Sequence, residues 1–351
     1  MSLPSPKPLV AAPFARRLLC SLVASLVLLL ICLCVGMAMG AVRYPPREVV
    51  AALLNWLPGS WHPRPSSEDA LAILLLVRLP RVLLAAVVGL ALSSAGASLQ
   101  GLLGNPLADP YIVGVSSGSA LGALGAVVLG GETALGGMGV PLAAFATGIL
   151  AMGLVLALGR SGGKVATRSF LLAGVVVGSL FWAGVTLLLV LNPDEQQRSL
   201  LWLAGGLSEG DLRHVLIAAP ICLASFLLLC AQGRALNLLS MGEETAQQMG
   251  VSVERVKLIV LGATTLATAA ATSVAGIIGF VGLIVPHLVR GVLGPDHRVL
   301  IPVAGVVGAA FLVLTDTAAR SLFAPVEIPV GVFTALMGGP LFLSILRRKG
   351  P

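Results

Sequence analysis

Residues 77–123 read VRLPRVLLAAVVGLALSSAGASLQGLLGNPLADPYIVGVSSGSALGA, an apolar segment, a polar interruption and the start of a second apolar segment. The first segment, 82–103, has no charged residue and is about as long as the ~20 residues that cross a bilayer as a helix. The interruption contains Asn105, Pro106 and Pro110, and proline ends or kinks a helix. The stretch therefore predicts two membrane helices that are separated by a break in the backbone.

The rest of the chain repeats this apolar pattern. Its 351 residues are 57% hydrophobic and only 11% charged, with a mean hydropathy of +1.00, whereas soluble domains carry about 25% charge. The composition predicts an all-α polytopic membrane protein that forms a single transmembrane domain over 1–351, with about ten helices. The predicted spans are 18–40, 82–103, 111–129, 141–159, 170–191, 213–232, 257–277, 279–291, 299–315 and 331–346.

The basic residues favour an orientation with both termini in the cytoplasm, because most of the 22 Lys and Arg then fall on that side. Residues 1–17 form the predicted cytoplasmic tail. The apolar run 18–40 exceeds the 7–15 residues of a signal-peptide core, so it predicts a retained first span. The net charge of +7 is scattered and lacks interleaved aromatic residues, which does not favour nucleic-acid binding.

Arg78 and Arg81 lie three residues apart at the predicted mouth of the second span, next to Pro80. Arginines in this position extend toward lipid head groups in many membrane proteins. A guanidinium group is also suited to binding carboxylates, which would make the pair a docking site for an acidic external partner. The residues alone leave both interpretations open.

The predicted cytoplasmic segment, 233–256, is the longest polar stretch between spans. Gly242 precedes Glu243 and Glu244, and acidic residues are favourable at a helix N-terminus. Gly250 is a suitable residue for the position just after a helix. The pattern predicts a short helix that either forms a structural loop or contacts a cytoplasmic subunit.

Two motif matches are interpreted as coincidences. Gly114–Gly118 fits G-x-S-x-G around Ser116, but a nucleophile elbow requires a preceding strand and a histidine base. The stretch 159–167 resembles a phosphate-binding loop, but Leu158 stands where the first glycine belongs. No catalytic residue is therefore assigned, and an ATP-driven process would require a separate ATPase subunit.

No metal site is assigned either, although His287, Asp296 and His297 could ligate one. They lie in a short arginine-containing loop, which favours a hydrogen-bonded structural role. Charged residues are also nearly absent from the predicted midplane, where an ion-coupled carrier usually needs them. An ion-coupled secondary transporter of a small polar solute remains the alternative functional class.

Four blocks of the sequence, in order, resemble the permease subunits of the FecCD family, which are the membrane subunits of type II ABC importers for iron–siderophores, haem and cobalamin. They comprise VRLPR…SALGA, MGEETAQQMGV, AGIIGFVGLIVPHLVRGVLGPDHRVLIP and EIPVGVFTALMGGPLF, at 77–123, 241–251, 275–302 and 327–342. The resemblance covers nearly the whole chain.

The resemblance implies a homodimeric permease in the inner membrane, with two ATPase subunits that bind ATP and Mg²⁺ and a substrate-binding protein outside. It implies no cofactor on this chain itself. The cargo that it favours is an iron–siderophore, followed by cobalamin or haem.

The resemblance also implies roles for individual residues. Those matching the binding-protein contact are Arg78, Arg81 and Arg320. Those matching the ATPase coupling segment are Gly242, Glu243, Glu244, Ala246 and Gly250. Those near the translocation path, at the helix break, are Asn105, Pro106, Pro110, Ser116 and Ser117. The loop at the position of the cytoplasmic gate includes Gly162, Gly163, Lys164 and Thr167.

Overall fold

The computed structural model describes residues 14–55, 67–131, 133–161 and 164–348, and these residues are mainly helical. The α-helices are α1 Phe14–Ala38, α2 Pro46–Leu54, α3 Glu68–Ala72, α4 Leu79–Leu103, α5 Val115–Val128, α6 Gly139–Leu158, α7 Thr167–Leu191, α8 Gln196–Leu203, α9 Leu212–Ala231, α10 Gly233–Leu239, α11 Glu243–Gln248, α12 Val253–Ala275, α13 Val281–Leu293, α14 His297–Ser321 and α15 Val330–Arg348.

The predicted all-α membrane architecture is confirmed. Among the described residues, seven helices are long and apolar enough to cross a bilayer. They are α1, the continuous helix formed by α3, the π turn and α4, and then α6, α7, α9, α12 and α14. Three shorter apolar helices, α5, α13 and α15, supply the remaining predicted spans. The first span starts at Phe14, so residues 14–17 of the predicted tail are helical, while 1–13 lie outside the described residues.

The predicted start of the second span, residue 82, is wrong. The helix runs without interruption over Glu68–Leu103, because a π-helical turn, Ile73–Arg78, joins α3 to α4. In this widened turn the Leu79 N–H donates to the Leu74 carbonyl. A proline ring normally clashes with the carbonyl four residues earlier, and the π turn before Pro80 alters that geometry. The sequence pattern treats Pro80 as a helix start, but the structure places it inside a helix.

The core is formed by α4, α12, α13 and α14. In the most apolar 18-residue stretches of α12 and α14, 72% and 78% of the residues are buried. The corresponding shares are 11% for α1 and 17% for α7. Close approach of backbones depends on glycine, as is common between membrane helices. A Cβ on Gly89 of α4 would lie 2.2 Å from the Gly308 carbonyl oxygen of α14, and one on Gly96 would lie 1.9 Å from that of Gly282 in α13.

The seventh and eighth predicted spans, 257–277 and 279–291, are separated by a short irregular segment. Between Ala275 and Val281 the chain leaves helical geometry, with Gly276 at φ +65°. A Cβ on Gly276 would lie 2.2 Å from the Trp202 carbonyl oxygen at the end of α8. This irregular backbone packs against other protein segments, the condition under which a break is tolerated within a membrane.

Candidate docking, coupling and gating sites

The predicted helix break follows α4 directly. Gly104 adopts φ +60°, and the Asn105 side chain accepts a hydrogen bond from the Leu107 N–H at 2.9 Å. The Asp109 carboxylate then accepts from the Tyr111 N–H at 2.8 Å and begins a 3₁₀ turn, Pro110–Val113. The break is confirmed, with Asn105 and Pro106 exposed and Pro110 buried.

Ser116 and Ser117 lie in the first turn of α5. Ser117 is buried, and its hydroxyl donates to the Gly114 carbonyl at 3.0 Å, whereas Ser116 is half-buried. A 3₁₀ turn precedes these serines where a nucleophile elbow would require a strand. Both serines are therefore helix-start residues, and their place beside a translocation path stays a prediction.

The three arginines assigned to docking converge in space, although Arg320 lies far from the others in the chain. Arg81 makes the strongest contacts: Nη2 lies 3.0 Å from Asp316 Oδ1, Nε donates to both Asp316 oxygens, and Nη1 donates to Glu327 Oε2 at 2.8 Å. We call Arg78, Arg81, Asp316, Arg320 and Glu327 the outer arginine cluster.

The remaining arginines of the cluster contact the end of α1. Arg78 donates to the Met37 carbonyl at 2.7 Å and to the Val42 carbonyl, and it stacks on Tyr44 at 4.9 Å from the ring centroid. Arg320 donates to the Gly36 carbonyl, and its Nε lies 3.5 Å from Asp316 Oδ2. The cluster therefore joins α1, α4 and α14.

Burial changes how these arginines are interpreted. Arg78, Arg81 and Arg320 are only 4%, 7% and 5% exposed, so they do not lie at a helix mouth as predicted, nor do they extend to lipid head groups. Arg81 and Glu327 still border an open cavity of about 630 Å³, which Trp202 and Glu209 also line. Their docking role stays a prediction, and any partner would reach Arg81 through this cavity.

The predicted short helix in 233–256 is confirmed as α11. Gly242 precedes it at φ +113°, and Glu243 and Glu244 occupy its first turn. Gly250 follows it at φ +85°, and the N–H groups of Gly250 and Val251 donate to the carbonyls of Gln247 and Ala246, both at 2.9 Å. This pair of bonds is a Schellman motif, which closes the helix C-terminus.

The surface of α11 is mostly solvent-exposed. Ala246 is the exception, because it is fully buried and fixes the helix to the protein, whereas Glu244 and Met249 are exposed.

Next to α11, the Asn237 side-chain amide of α10 donates to Asp296 Oδ1 at 2.6 Å and accepts from the His297 N–H at 2.8 Å. Hydrogen bonds from Arg298 first, and then from Asn237, hold the pKa of Asp296 well below its usual range. The expected hydrogen-bonded role is confirmed for Asp296 and His297, whereas His287 lies within α13 and not in a short loop as predicted.

Replacing Gly250 by Val should weaken any interaction that depends on α11. A side chain at positive φ costs about 1–2 kcal/mol, and a β-branched residue fits that region worst. We expect about a tenfold loss of affinity for the ATPase subunit that the sequence resemblance implies, measured by pull-down or calorimetric titration. Gly250→Asn is the matched control, because asparagine tolerates this conformation, and equal losses in both variants would contradict the prediction.

The predicted gate loop is a short β-hairpin, β1 Arg160–Ser161 and β2 Lys164–Val165, with Arg160 paired to Val165. Lys164 belongs to β2 and Thr167 is the first residue of α7, while Gly162 and Gly163 lie outside the described residues. The gating role of all four residues stays a prediction. The hairpin connects α6 to α7, so its movement would act on both helices.

Four residues of these sites were not assigned from the sequence: Asp316 and Glu327 of the outer arginine cluster, and Glu254 and Lys257 of α12, which contact Val165 of the hairpin. Asp316 could have been assigned from the sequence, because a carboxylate within an apolar span requires a positively charged partner. Nothing local distinguished Glu327, Glu254 or Lys257 from ordinary surface charges. Their partners are remote in sequence, so only the fold identifies them.

Comparisons with known proteins agree with this architecture. A model described as the FecCD transport family matches residues 28–348. The cobalamin import system permease protein of Halobacterium salinarum is 46% identical over 282 residues, which cover 80% of this chain and 75% of that protein. The hemin transport system permease protein of Yersinia pestis is 39% identical over 328 residues, covering 92% and 94%.

The Fe(3+) dicitrate transport system permease protein of Escherichia coli K12 is 37% identical over 318 residues, covering 90% of this chain and 95% of that protein. Among solved structures, one described as an inward-facing conformation of a metal-chelate type ABC transporter is similar, with a TM-score of 0.80 and 29% identity. It covers 93% of this chain and 98% of its own.

Proposed function

This chain belongs to the FecCD transport family, and from this premise we propose that it carries a metal chelate from an external binding protein to the cytoplasm, driven by ATP hydrolysis on separate subunits. As a family member it is a multi-pass ABC importer permease, and the family works with ATPase and substrate-binding partners. The proposed cargo is an iron–siderophore first, with cobalamin or haem next. The relatives named for cobalamin, hemin and ferric dicitrate support the chelate class.

One observation supports the proposal: two clusters of polar residues lie at opposite ends of the same buried helix, α14. At the start of α14, Asp296 and His297 form hydrogen bonds with Asn237 of α10, next to α11. Near the end of α14, Asp316 and Arg320 belong to the outer arginine cluster. At 1.5 Å per residue, these ends are about 35 Å apart, which is close to the thickness of a bilayer core. One cluster would therefore face the ATPase and the other the binding protein.

We further propose that two copies of the chain form the permease in the inner membrane. Both termini of each copy would lie in the cytoplasm. Only 17% of the apolar window of α7 is buried, so α7 offers a large apolar surface to a second copy or to lipid. The hairpin leads directly into α7, so it would lie at the edge of that interface. Excess arginine and lysine on the α11 side supports the orientation.

Reconstitution tests the proposed function. The complete complex in proteoliposomes should take up its labelled chelate only when ATP is present, with uptake unaffected by an uncoupler. Iron–siderophore, cobalamin and haem offered in competition identify the cargo as the one taken up preferentially. Uptake by the chain without its ATPase subunits, or its collapse with an uncoupler, would instead indicate the ion-coupled carrier.

A further inference from the structure

Val165, on β2 of the hairpin, has both of its backbone polar groups bound by side chains of α12. Its N–H donates to Glu254 Oε1 at 3.0 Å, and its carbonyl accepts from Lys257 Nζ at 3.1 Å. Glu254 and Lys257 are three residues apart in a helix, which places them on one face. Val165 itself is only 4% exposed, so α12 holds one strand of the hairpin at a buried point.

Lys257 also contacts α11. Its Nζ lies 2.7 Å from Oε1 of Glu243, the first residue of α11. The lysine is only 7% exposed, and a buried ammonium group is stable only when it is paired and hydrogen-bonded. Its two partners are the Val165 carbonyl and Glu243, so one buried charge joins the hairpin to α11.

An open space lies beside this contact. A cavity of about 270 Å³, lined by Thr167 and Gln247 as well as by the residues above, separates α11 from the hairpin. The base of the hairpin, in contrast, is closely packed: a Cβ on Gly159 would lie 2.8 Å from the Phe170 Cα, and Phe170 is 1% exposed. A displacement of β2 would therefore be passed to the start of α7.

We propose that Lys257 and Glu254 are positioning residues that fasten the hairpin to α12, and that Lys257 also joins it to α11 through Glu243, so that a movement of α11 displaces the hairpin and the start of α7. The inference rests on the proposed function, in which α11 seats against the ATPase, and on the gating role predicted for the hairpin. It adds the connection between the two: ATP-driven motion reaches the gate through the Glu243–Lys257 ion pair and the two hydrogen bonds to Val165.

Amide hydrogen exchange in the purified full chain tests the connection without any partner. A hydrogen bond to a charged group is strong enough to change an equilibrium about tenfold, so Glu254→Leu should speed exchange at Val165 by about that factor. Glu254→Gln, which keeps an acceptor oxygen, should restore most of the protection. Arg255→Met removes an exposed charge from the same helical turn and serves as the control. Unchanged exchange in Glu254→Leu would overturn the inference.

The second measurement uses the complete transporter and compares uptake per ATP hydrolysed. We expect Lys257→Met to hydrolyse ATP at close to the native rate but to transport about tenfold less per ATP, since about 1.4 kcal/mol of coupling is a factor of ten. Lys257→Arg should retain coupling because it keeps the charge. If Lys257→Met does not assemble, Glu254→Leu, which removes the hydrogen bond to the Val165 N–H, gives the same comparison.

The outcomes separate the two hypotheses. A native complex without ATP-dependent uptake would overturn the proposed function and would show this before any variant is made. A native complex that transports normally, together with variants whose uptake per ATP equals the native ratio, would overturn only the connection through Lys257.

Discussion

Arg81→Met is expected to lower the free energy of unfolding by about 3 kcal/mol or more, because it leaves the buried carboxylate of Asp316 without its main counter-charge. Asp316 is 1% exposed and receives three hydrogen bonds from Arg81. Arg320 remains 3.5 Å away and compensates only in part. The midpoint of thermal unfolding in detergent measures the loss.

A second variant shows whether the loss arises from the unpaired charge. Arg81→Met combined with Asp316→Asn removes both charges, and replacement of both members of a buried pair is often nearly neutral. The double variant should therefore be more stable than Arg81→Met alone. Arg198→Met, which disrupts an exposed pair with Glu195 at 3.7 Å, should change stability by less than about 1 kcal/mol. A double variant as unstable as the single one would contradict the argument.

The double variant also allows a clearer test of docking than charge reversal of the arginines does. Charge reversal of Arg78 and Arg81 should weaken contact with an acidic binding protein, but it also places two carboxylates in a buried site. Loss of binding in that variant would not separate docking from unfolding. Affinity measured on the folded Arg81→Met/Asp316→Asn chain does separate them: a native affinity there would remove Arg81 from the interface.

Gly96→Ala is the other change expected to have a large effect. The new Cβ would lie 1.9 Å from the Gly282 carbonyl oxygen, so α4 and α13 would have to move apart. The Gln100 side chain also donates to that carbonyl at 3.2 Å, and the hydrogen bond would be strained. Overpacking of this kind costs about 1–3 kcal/mol, and a clash with backbone places this site at the upper end. Thermal unfolding and the yield of folded protein report the loss.

Gly262→Ala is the matched control, since it lies within α12 and a Cβ there would meet nothing within 4 Å. Alanine at an open helical position stabilises a protein by up to about 1 kcal/mol. Gly96→Ala should therefore lower the free energy of unfolding, and Gly262→Ala should raise it. Equal effects would show that helix propensity, rather than the contact between α4 and α13, determines the outcome.

The sequence was sufficient for features that depend on local composition. The number of spans followed from apolar stretches of bilayer length, and the break at 104–114 followed from its prolines. The α11 helix followed from Glu243 and Glu244, which suit a helix N-terminus, and from Gly250, which adopts positive φ just after the helix. All of these features are determined within a few residues of the chain.

The features that escaped prediction depend on distant partners. Arg81 and Asp316 are 235 positions apart, and no periodicity links them. The hairpin strands are two residues long, too short to show an alternating pattern. The extension of α4 back to Glu68 depends on a π turn, which has no composition signal of its own. In each case the determining contact is tertiary.

The contacts of Arg81 also decide what kind of reaction docking would be. Asp316 is buried, whereas the Glu327 side chain is 46% exposed beside the open cavity. If a carboxylate from outside binds Arg81 in place of Glu327, docking would be an exchange of one counter-ion for another. Such an exchange leaves the number of ion pairs at Arg81 unchanged, and it releases a carboxylate at the mouth of the cavity, where the cargo would enter.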